Sequence, residues 1–149
     1  MPSVIIVADD SATARMVTKR CLEIAGYQDA EFLNARDGRE ALQMLKERFS
    51  GDATGGKTGG ASSNDVELLV TDLNMPNMDG TSLLKHIKAS PRLSRIPVLV
   101  ISSMGNSAKE EELLKLGAFA VLSKPVSPAS ILQALQSLEN AAVAEVEHE

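Results

Sequence analysis

Several residue types that mark other protein classes are scarce in this chain of 149 residues. A single cysteine, Cys21, excludes an internal disulfide framework and suits a reducing compartment, so a cytoplasmic location is expected. No apolar run has the length needed to cross a bilayer. The N-terminus has neither the basic flank nor the apolar length of a signal peptide. With no tryptophan, one tyrosine and three phenylalanines, the chain is not expected to form an aromatic platform for single-stranded nucleic acid.

Positive charge is also in deficit. Fifteen basic residues against twenty acidic residues give a formal net charge of −5, which disfavours DNA or an anionic membrane surface as a direct partner. Hydrophobic residues form 44% of the chain, enough for a buried core, and the length fits one domain. The composition therefore indicates a soluble, acidic, single-domain protein.

Short apolar runs alternate with amphipathic segments along the chain. Five runs have the composition of buried parallel strands, and they lie at Val4–Ala8, near Ala30–Asn34, and at Val66–Thr71, Ile96–Ile101 and Ala118–Leu122. Five segments with apolar residues every three or four positions predict helices, which begin after Ser11 and near Asp37, Asp79, Ser107 and Pro128. This alternation predicts an α/β fold with a parallel sheet covered by helices on both faces.

Residues 50–65 break this pattern, because they contain five glycines and no apolar period. We interpret them as a loop inserted between the second helix and third strand of a domain that spans residues 1–140, with an acidic tail or helix extension at residues 141–149. Residues 51–58, GDATGGKT, match the phosphate-loop pattern GxxxxGK[ST]. A working phosphate loop leaves a buried strand and opens a helix, whereas this segment follows a helix. Nucleotide binding through it is therefore the weaker hypothesis.

Polar residues follow the predicted strands at the edge of the sheet where ligands bind. Asp9 and Asp10 follow the first strand, Asp72 the third, Ser102 the fourth and Lys124 the fifth. The carboxyl ends of parallel strands meet at one edge, so three carboxylates are expected beside a hydroxyl and an ammonium group. The carboxylates repel one another, and Mg²⁺ relieves that repulsion because it prefers carboxylates, water and phosphate oxygens as ligands. The pattern predicts a magnesium site that can hold a phosphoryl group.

These residues carry a resemblance to response-regulator receiver domains over nearly the whole chain, apart from the glycine-rich segment and the acidic tail. The matching pieces are Val4–Asp10, residues 68–80 (LLVTDLNMPNMDG), Pro97–Ser102 and Lys124-Pro125. Each piece alone is a weak signal, but the ordered set is specific. The resemblance implies a flavodoxin-like, doubly wound sheet of five parallel strands in the order 2-1-3-4-5 with five helices.

The resemblance also implies the chemistry of the acidic residues. Asp72 would be the phosphoacceptor, modified by a histidine kinase or a histidine phosphotransfer protein. Asp9, Asp10 and Asp72 would hold Mg²⁺ together with the backbone carbonyl of Asn74. Phosphorylation would then switch a surface that binds a downstream protein, as in chemotaxis-type receivers, so the domain is expected to be a signalling protein rather than an enzyme.

Two further residues would sense the phosphoryl group in a domain that resembles this family. Lys124 would pair with the phosphoryl oxygens, and the hydroxyl of Ser102 would turn in toward them. The aromatic residue that usually moves with this hydroxyl would fall at position 121, but the residue there is Val121. This departure leaves the phosphorylation chemistry intact and changes the expected transmission of the signal.

Two alternatives belong to other functional classes. The same acids or the glycine-rich segment could serve a magnesium-dependent phosphatase or a nucleotide-binding protein, which would turn over an external phosphate substrate. A receiver-like interaction module could work without phosphorylation, and failure to bind Mg²⁺ would favour it. The complete set of three acids and one lysine favours the phosphorylated receiver over both.

Deletion of residues 55–62 separates the receiver from the nucleotide-binding alternative. We expect the deletion to leave phosphorylation of Asp72 unchanged, because the segment precedes the third strand and so lies at the sheet edge remote from the strand carboxyl ends. Intact-mass measurement after incubation with acetyl phosphate and Mg²⁺ checks this. Loss of the phosphoryl adduct would support a phosphate-binding role for the segment.

Overall fold

A computed structural model describes residues 4–55, 66–102, 107–124 and 126–148. The described strands are β1 (Val4–Ala8), β2 (Glu31–Ala35), β3 (Val66–Asp72), β4 (Val98–Ser102) and β5 (Ala120–Ser123). The α-helices that alternate with them are α1 (Ala12–Leu22), α2 (Gly38–Gly55), α3 (Gly80–Ala89), α4 (Ser107–Leu116) and α5 (Pro128–His148). A π-helical turn, Glu23–Tyr27, follows α1, and a 3₁₀ turn, Leu93–Arg95, precedes β4.

The strands form one parallel sheet in the order β2-β1-β3-β4-β5. The predicted α/β class and strand order are therefore confirmed. Ala8 of β1 pairs with Thr71 of β3, and Asp72 pairs with Ile101 of β4. Because these pairs lie at the carboxyl ends of neighbouring strands, the last residues of β1, β3 and β4 lie at one edge of the sheet.

Alternate residues of each central strand pack against different helices. Ile6 and Leu69 lie in a core with Leu45 of α2 and Leu84 of α3. On the other face, Ile5 and Val70 pack in a second core with Leu22 of α1, Ile131 of α5 and the buried thiol of Cys21. Burial on both faces explains why the strands read as nearly continuous apolar runs. Cys21 is thus a core residue.

Three side chains cap helices next to the strand ends. Ser11 Oγ accepts a hydrogen bond of 3.1 Å from the backbone of Ala14 at the start of α1. Asp37 Oδ1 accepts one of 2.8 Å from Glu40 in α2, and Asp79 Oδ1 accepts one of 2.9 Å from Ser82 in α3. Such caps satisfy backbone donors that a helix leaves unpaired in its first turn. They start each helix within a few residues of the strand before it.

The ends of α2 and α5 can be compared with the sequence-based boundaries. Helix α2 continues through Gly55, so the predicted loop at residues 50–65 begins later than expected. The remainder of that loop, residues 56–65, lies outside the described residues. Helix α5 runs to His148, which agrees with a helix extension rather than a separate tail at residues 141–148. Apolar periodicity misses the extension of α2, because adding one more hydrogen-bonded residue to a formed helix is far easier than nucleating it. Among the described helices, none has the combined length and hydropathy of a membrane span.

Truncating one core leucine tests the packing of α3 on the sheet. Leu84 is fully buried, and we expect Leu84→Ala to lower the free energy of unfolding by about 2–5 kcal/mol through lost apolar contact and a residual cavity. Leu114, which is 44% exposed on α4, provides the matched control, and Leu114→Ala is expected to cost about 0.5 kcal/mol. Urea unfolding measures both values. Equal losses would contradict the assignment of α3 to the core.

Candidate functional site

Three carboxylates meet where β1 and β3 end. Asp72 is the last residue of β3, and Asp9 and Asp10 directly follow β1. Asp9 is 4% exposed and Asp72 is 6% exposed, whereas Asp10 faces solvent. Carboxylate oxygens from the three residues lie within 4.8 Å of one another. This group of hard oxygen ligands, buried on one side and open on the other, fits a divalent cation such as Mg²⁺.

Lys124 brings one positive charge to these carboxylates. It follows β5, and its Nζ atom lies 3.2 Å from Asp9 Oδ2 and 3.3 Å from Asp72 Oδ2. Its backbone N–H donates a 2.8 Å hydrogen bond to the carbonyl of Ser102 at the end of β4. The Lys124 side chain therefore reaches from the end of β5, the outermost strand, to Asp9 and Asp72 at the ends of the central strands. One ammonium group faces three carboxylates, so negative charge remains in excess.

This excess is reflected in the protonation of Asp72. Burial raises the pKa of the Asp72 carboxyl above its ordinary value, the charge of Asp9 raises it further, and Lys124 offsets only part of the effect. Burial also lowers the pKa of Lys124, but its attraction to Asp72 and Asp9 outweighs this and leaves the pKa of the ammonium group raised. Lys124 is thus held in its charged form, and the carboxylates still have unsatisfied affinity for positive charge.

The two buried carboxylates are each held at both oxygens. Asp72 Oδ1 accepts a 2.9 Å hydrogen bond from the backbone N–H of Leu73, and Asp9 Oδ1 accepts one of 2.9 Å from Ser11. The Oδ2 atoms of both acids contact Lys124. Arg15 of α1 donates from Nη1 to the carbonyl of Asp9 at 2.6 Å. These bonds orient the carboxylates in advance, which reduces the reorganisation needed to bind a cation or a phosphoryl group.

A glycine lets α3 start against the backbone of Asp72. A Cβ atom on Gly80 would lie 2.5 Å from the carbonyl oxygen of Asp72 and 3.0 Å from Leu73 Cα. The N–H of Gly80 donates a 2.8 Å hydrogen bond to the carbonyl of Leu73. The approach is too close for any side chain at this position, so the sequence Asp79-Gly80 combines a helix cap with a contact to the site.

The loop between β3 and α3 is also tied to the start of α2. Asn77 donates from Nδ2 to Asp37 Oδ2 at 2.6 Å, and Gly38 N–H donates to the carbonyl of Met78 at 3.0 Å. The pKa of Asp37 is lowered by the hydrogen bond from the backbone of Glu40 and by the one from Asn77. Asn77 adopts a positive φ of 65° that few residue types other than glycine accept readily. Sequence reasoning missed this link because its partners are 40 residues apart and have no local signal.

The remaining predicted residues occupy different positions around the acids. Ser102 ends β4, one residue after the partner of Asp72, and is partly exposed. Asn74 is exposed in the loop two residues beyond Asp72. Val121 lies in β5, half-buried against the core on the α2 and α3 side of the sheet.

The first five residues of the phosphate-loop pattern, 51–55, are the last residues of α2 rather than a strand-to-helix turn, and residues 56–58 lie outside the described residues.

Comparison with known proteins assigns the class that the fold and the acidic site define. Residues 5–136 match the response regulator receiver domain, and the chain belongs to this family. It is similar to the chemotaxis protein CheY1 of Helicobacter pylori, with 33% identity over 132 residues that cover 89% of this chain and 93% of that protein. It is also similar to the chemotaxis protein CheY-3 of Vibrio cholerae, with 31% identity over 90% of this chain and 89% of that protein. Among solved structures, the bacteriophytochrome response regulator AtBRR superposes with a TM-score of 0.72 at 27% identity, over 93% of this chain and 94% of that one.

Neutralising Asp72 tests the excess negative charge. We expect Asp72→Asn to raise the free energy of unfolding at neutral pH in metal-free buffer, because the ionised carboxyl is disfavoured by burial and by Asp9. The folded-state pKa lies above the unfolded value of about 3.9, so the penalty is present above the folded-state pKa and vanishes below the unfolded one. The advantage of the variant should therefore shrink as the pH falls. Urea unfolding over a pH series measures it.

The matched control is Asp29→Asn, which changes an exposed acid in a turn and should alter stability by less than about 0.5 kcal/mol. Adding MgCl₂ should stabilise the parent protein more than Asp72→Asn, because the variant has lost one anionic ligand; a ligand at 100 times its Kd contributes about 2.7 kcal/mol. A variant that is less stable than the parent at neutral pH without metal would refute the charge argument.

Proposed function

We propose that this receiver domain is switched by phosphorylation of Asp72, with a histidine kinase or a histidine phosphotransfer protein as the donor. The observation that supports the proposal is the position of the Asp72 carboxylate, buried at the end of β3 and 3.3 Å from the Lys124 ammonium group. In this role the domain turns over no external substrate. Its own reactions would be self-phosphorylation from small donors and slow loss of the phosphoryl group.

The transfer reaction requires a nucleophilic oxygen, charge neutralisation and a leaving group. A carboxylate oxygen of Asp72 forms the new bond to phosphorus while the bond from phosphorus to the donor histidine nitrogen breaks, and that nitrogen keeps the electron pair. Lys124 neutralises charge on the phosphoryl oxygens. Mg²⁺, held by Asp9, Asp10, Asp72 and the backbone carbonyl of Asn74, would supply the remaining positive charge when bound.

The contacts of Lys124 support a mechanism for the switch. A phosphoryl group carries close to two negative charges at neutral pH. On Asp72 it replaces the single charge of the carboxylate, so the side chain gains about one negative charge, and its phosphoryl oxygens would compete with Asp9 for the Lys124 ammonium group. A movement of the Lys124 backbone would also act on Ser102, because the backbone N–H of Lys124 donates a 2.8 Å hydrogen bond to the carbonyl of Ser102. The ends of β4 and β5 are thereby coupled, and the Ser102 hydroxyl would turn toward the phosphoryl oxygens in the phosphorylated state.

The output surface would then be the face formed by α4, β5 and α5, where a downstream protein binds. Val121 has no ring that could swing between buried and exposed positions, and it is already half-buried against the core. We therefore place transmission in the backbone of β4 and β5 instead of in an aromatic side chain at position 121.

Helix α1 offers a surface for a protein donor beside the acids. Met16 is 68% exposed and Val17 is 44% exposed, one to two turns after Asp10. Adjacent exposed apolar side chains of this size often mark protein contacts. Because α1 begins two residues after Asp10, these side chains support a donor protein that docks on α1 and presents its phosphohistidine to Asp72.

Intact-mass analysis after incubation with acetyl phosphate tests the proposed chemistry. We expect a single phosphoryl adduct on the parent protein with MgCl₂, and none on Asp72→Asn, because the amide is not a nucleophile toward phosphorus. Removing Mg²⁺ with EDTA should abolish the adduct on the parent protein. Asp29→Asn is the matched control and should be modified like the parent.

A second measurement on the same samples separates the alternatives. Magnesium affinity is read from the chemical shifts of the backbone amides around the acids during a MgCl₂ titration. Magnesium binding without any adduct from acetyl phosphate or from a phosphorylated donor protein would contradict the phosphoacceptor role. An adduct that persists at its normal level on Asp72→Asn would refute the choice of Asp72.

A further inference from the structure

A groove with a volume of about 710 Å³ lies between α2 and α3, on the sheet face opposite α1 and α5. None of the acids at the strand ends lines it. Its floor is apolar and is formed by Leu42 of α2, Met78 before α3 and Leu93 of the 3₁₀ turn. Leu42 and Leu93 are nearly buried, and Met78 packs against the same core. The floor is thus a place where the hydrophobic core reaches the surface.

The rim of the groove carries basic side chains from three separate elements. Lys46 lies on α2, His86 on α3 and Arg92 in the turn that follows α3, and all three are exposed. Among the described residues that line the groove, none is acidic. The rim of the groove is therefore positively charged, although the whole chain has a formal net charge of −5. An occupant with negative charge is complementary to this rim, whereas the net negative charge of the whole chain disfavours it.

Hydrogen bonds fix the walls of the groove. Gly38 N–H holds the carbonyl of Met78 at 3.0 Å, and a Cβ atom at position 38 would collide with that same carbonyl at 2.5 Å. At the other end, the backbone N–H of Leu93 donates to Ser90 Oγ at 3.3 Å. The groove is therefore preformed, and an occupant need not order it, which lowers the entropic cost of binding.

We propose that this groove is a docking site for an acidic, amphipathic segment of a partner protein. Apolar side chains of the segment contact the floor at Leu42, Met78 and Leu93, while its carboxylates pair with Lys46 and Arg92 and accept a hydrogen bond from His86. A helical segment with apolar residues three or four positions apart suits an apolar groove between two helices. A small anion fits less well, because the basic groups come from three elements along the rim, and Ser90 is the one other polar residue among the described residues that line the groove.

Docking in the groove does not require the proposed phosphorylation, since the groove contains no residue of the acidic site. The test uses the full chain, isotope-labelled and unphosphorylated, titrated with the acetylated and amidated peptides EELLEELLEE and ELEELLEELE while amide spectra are recorded. We expect the shifts to concentrate at Leu42, Met78 and Leu93. Lys46→Glu should weaken binding by about tenfold, because it replaces an attraction with a repulsion.

Lys85→Glu is the matched control, because Lys85 is exposed on α3 beside His86, does not line the groove and gives the same change in net charge. It should weaken binding by less than about twofold, as expected for a screened surface charge. The peptide KKLLKKLLKK should not bind. Absence of binding by both acidic peptides, shifts centred elsewhere, or equal losses in the two variants would overturn the proposal. The same shifts with inorganic phosphate alone would assign the groove to small anions and would overturn it as well.

Discussion

The attraction between one ammonium group and the acids at the strand ends is the interaction on which the site depends. Asp9 and Asp72 are buried, and burial of a carboxylate is costly unless a partner compensates it. Lys124 compensates part of that cost through contacts of 3.2 Å and 3.3 Å. The part of the cost that Lys124 does not compensate disfavours the ionised carboxyl and so raises the pKa of Asp72. Because negative charge remains in excess, the site favours the binding of any further positive charge. For the same reason, a change in the charge of Asp9, Asp72 or Lys124 strongly alters the electrostatic energy of the other two.

The fold supplies what this arrangement requires. The strand order places β1 beside β3, so that Asp9 and Asp72 become neighbours, and it brings Lys124 to them from the end of β5. Helices on both faces bury the central strands, and that burial offsets the electrostatic cost at the sheet edge. The buried central strands β1 and β3 therefore end directly at the acidic cluster. An acidic cluster of this kind is tolerated because the rest of the molecule does not depend on it for stability.

The sequence predicted the features that have local causes. The first strand was located residue for residue, because Val4–Ala8 is a β-branched run that ends at two acids. Asp72, Ser102 and Lys124 were predicted as site residues because they are polar and end or follow apolar runs, and the structure places Asp72 and Lys124 in contact. The strand order came from the family resemblance, since alternation of strands and helices alone does not fix it. The link from Asp37 to Asn77, the start of α3 against Asp72 and the groove beside Leu93 depend on contacts between distant segments, and hydrophobic periodicity carries no information about them.

The loop from Leu73 to Asp79 belongs to both the acidic site and the groove. It directly follows Asp72, is bonded to Asp37 and Gly38 at the start of α2 through Asn77 and Met78, and contributes Met78 to the floor of the groove. A ligand at either place therefore acts on a segment whose backbone is fixed at several points. Suppose that the loop exchanges between two arrangements and that a ligand of the acidic site prefers one of them. Binding of that ligand then changes the affinity of the groove for its occupant by some factor. Binding in the groove changes the affinity of the acidic site for its ligand by the same factor. The bonds at Asn77 and Met78 are where such an exchange between two arrangements would have to occur, because the loop cannot shift relative to α2 while both remain formed.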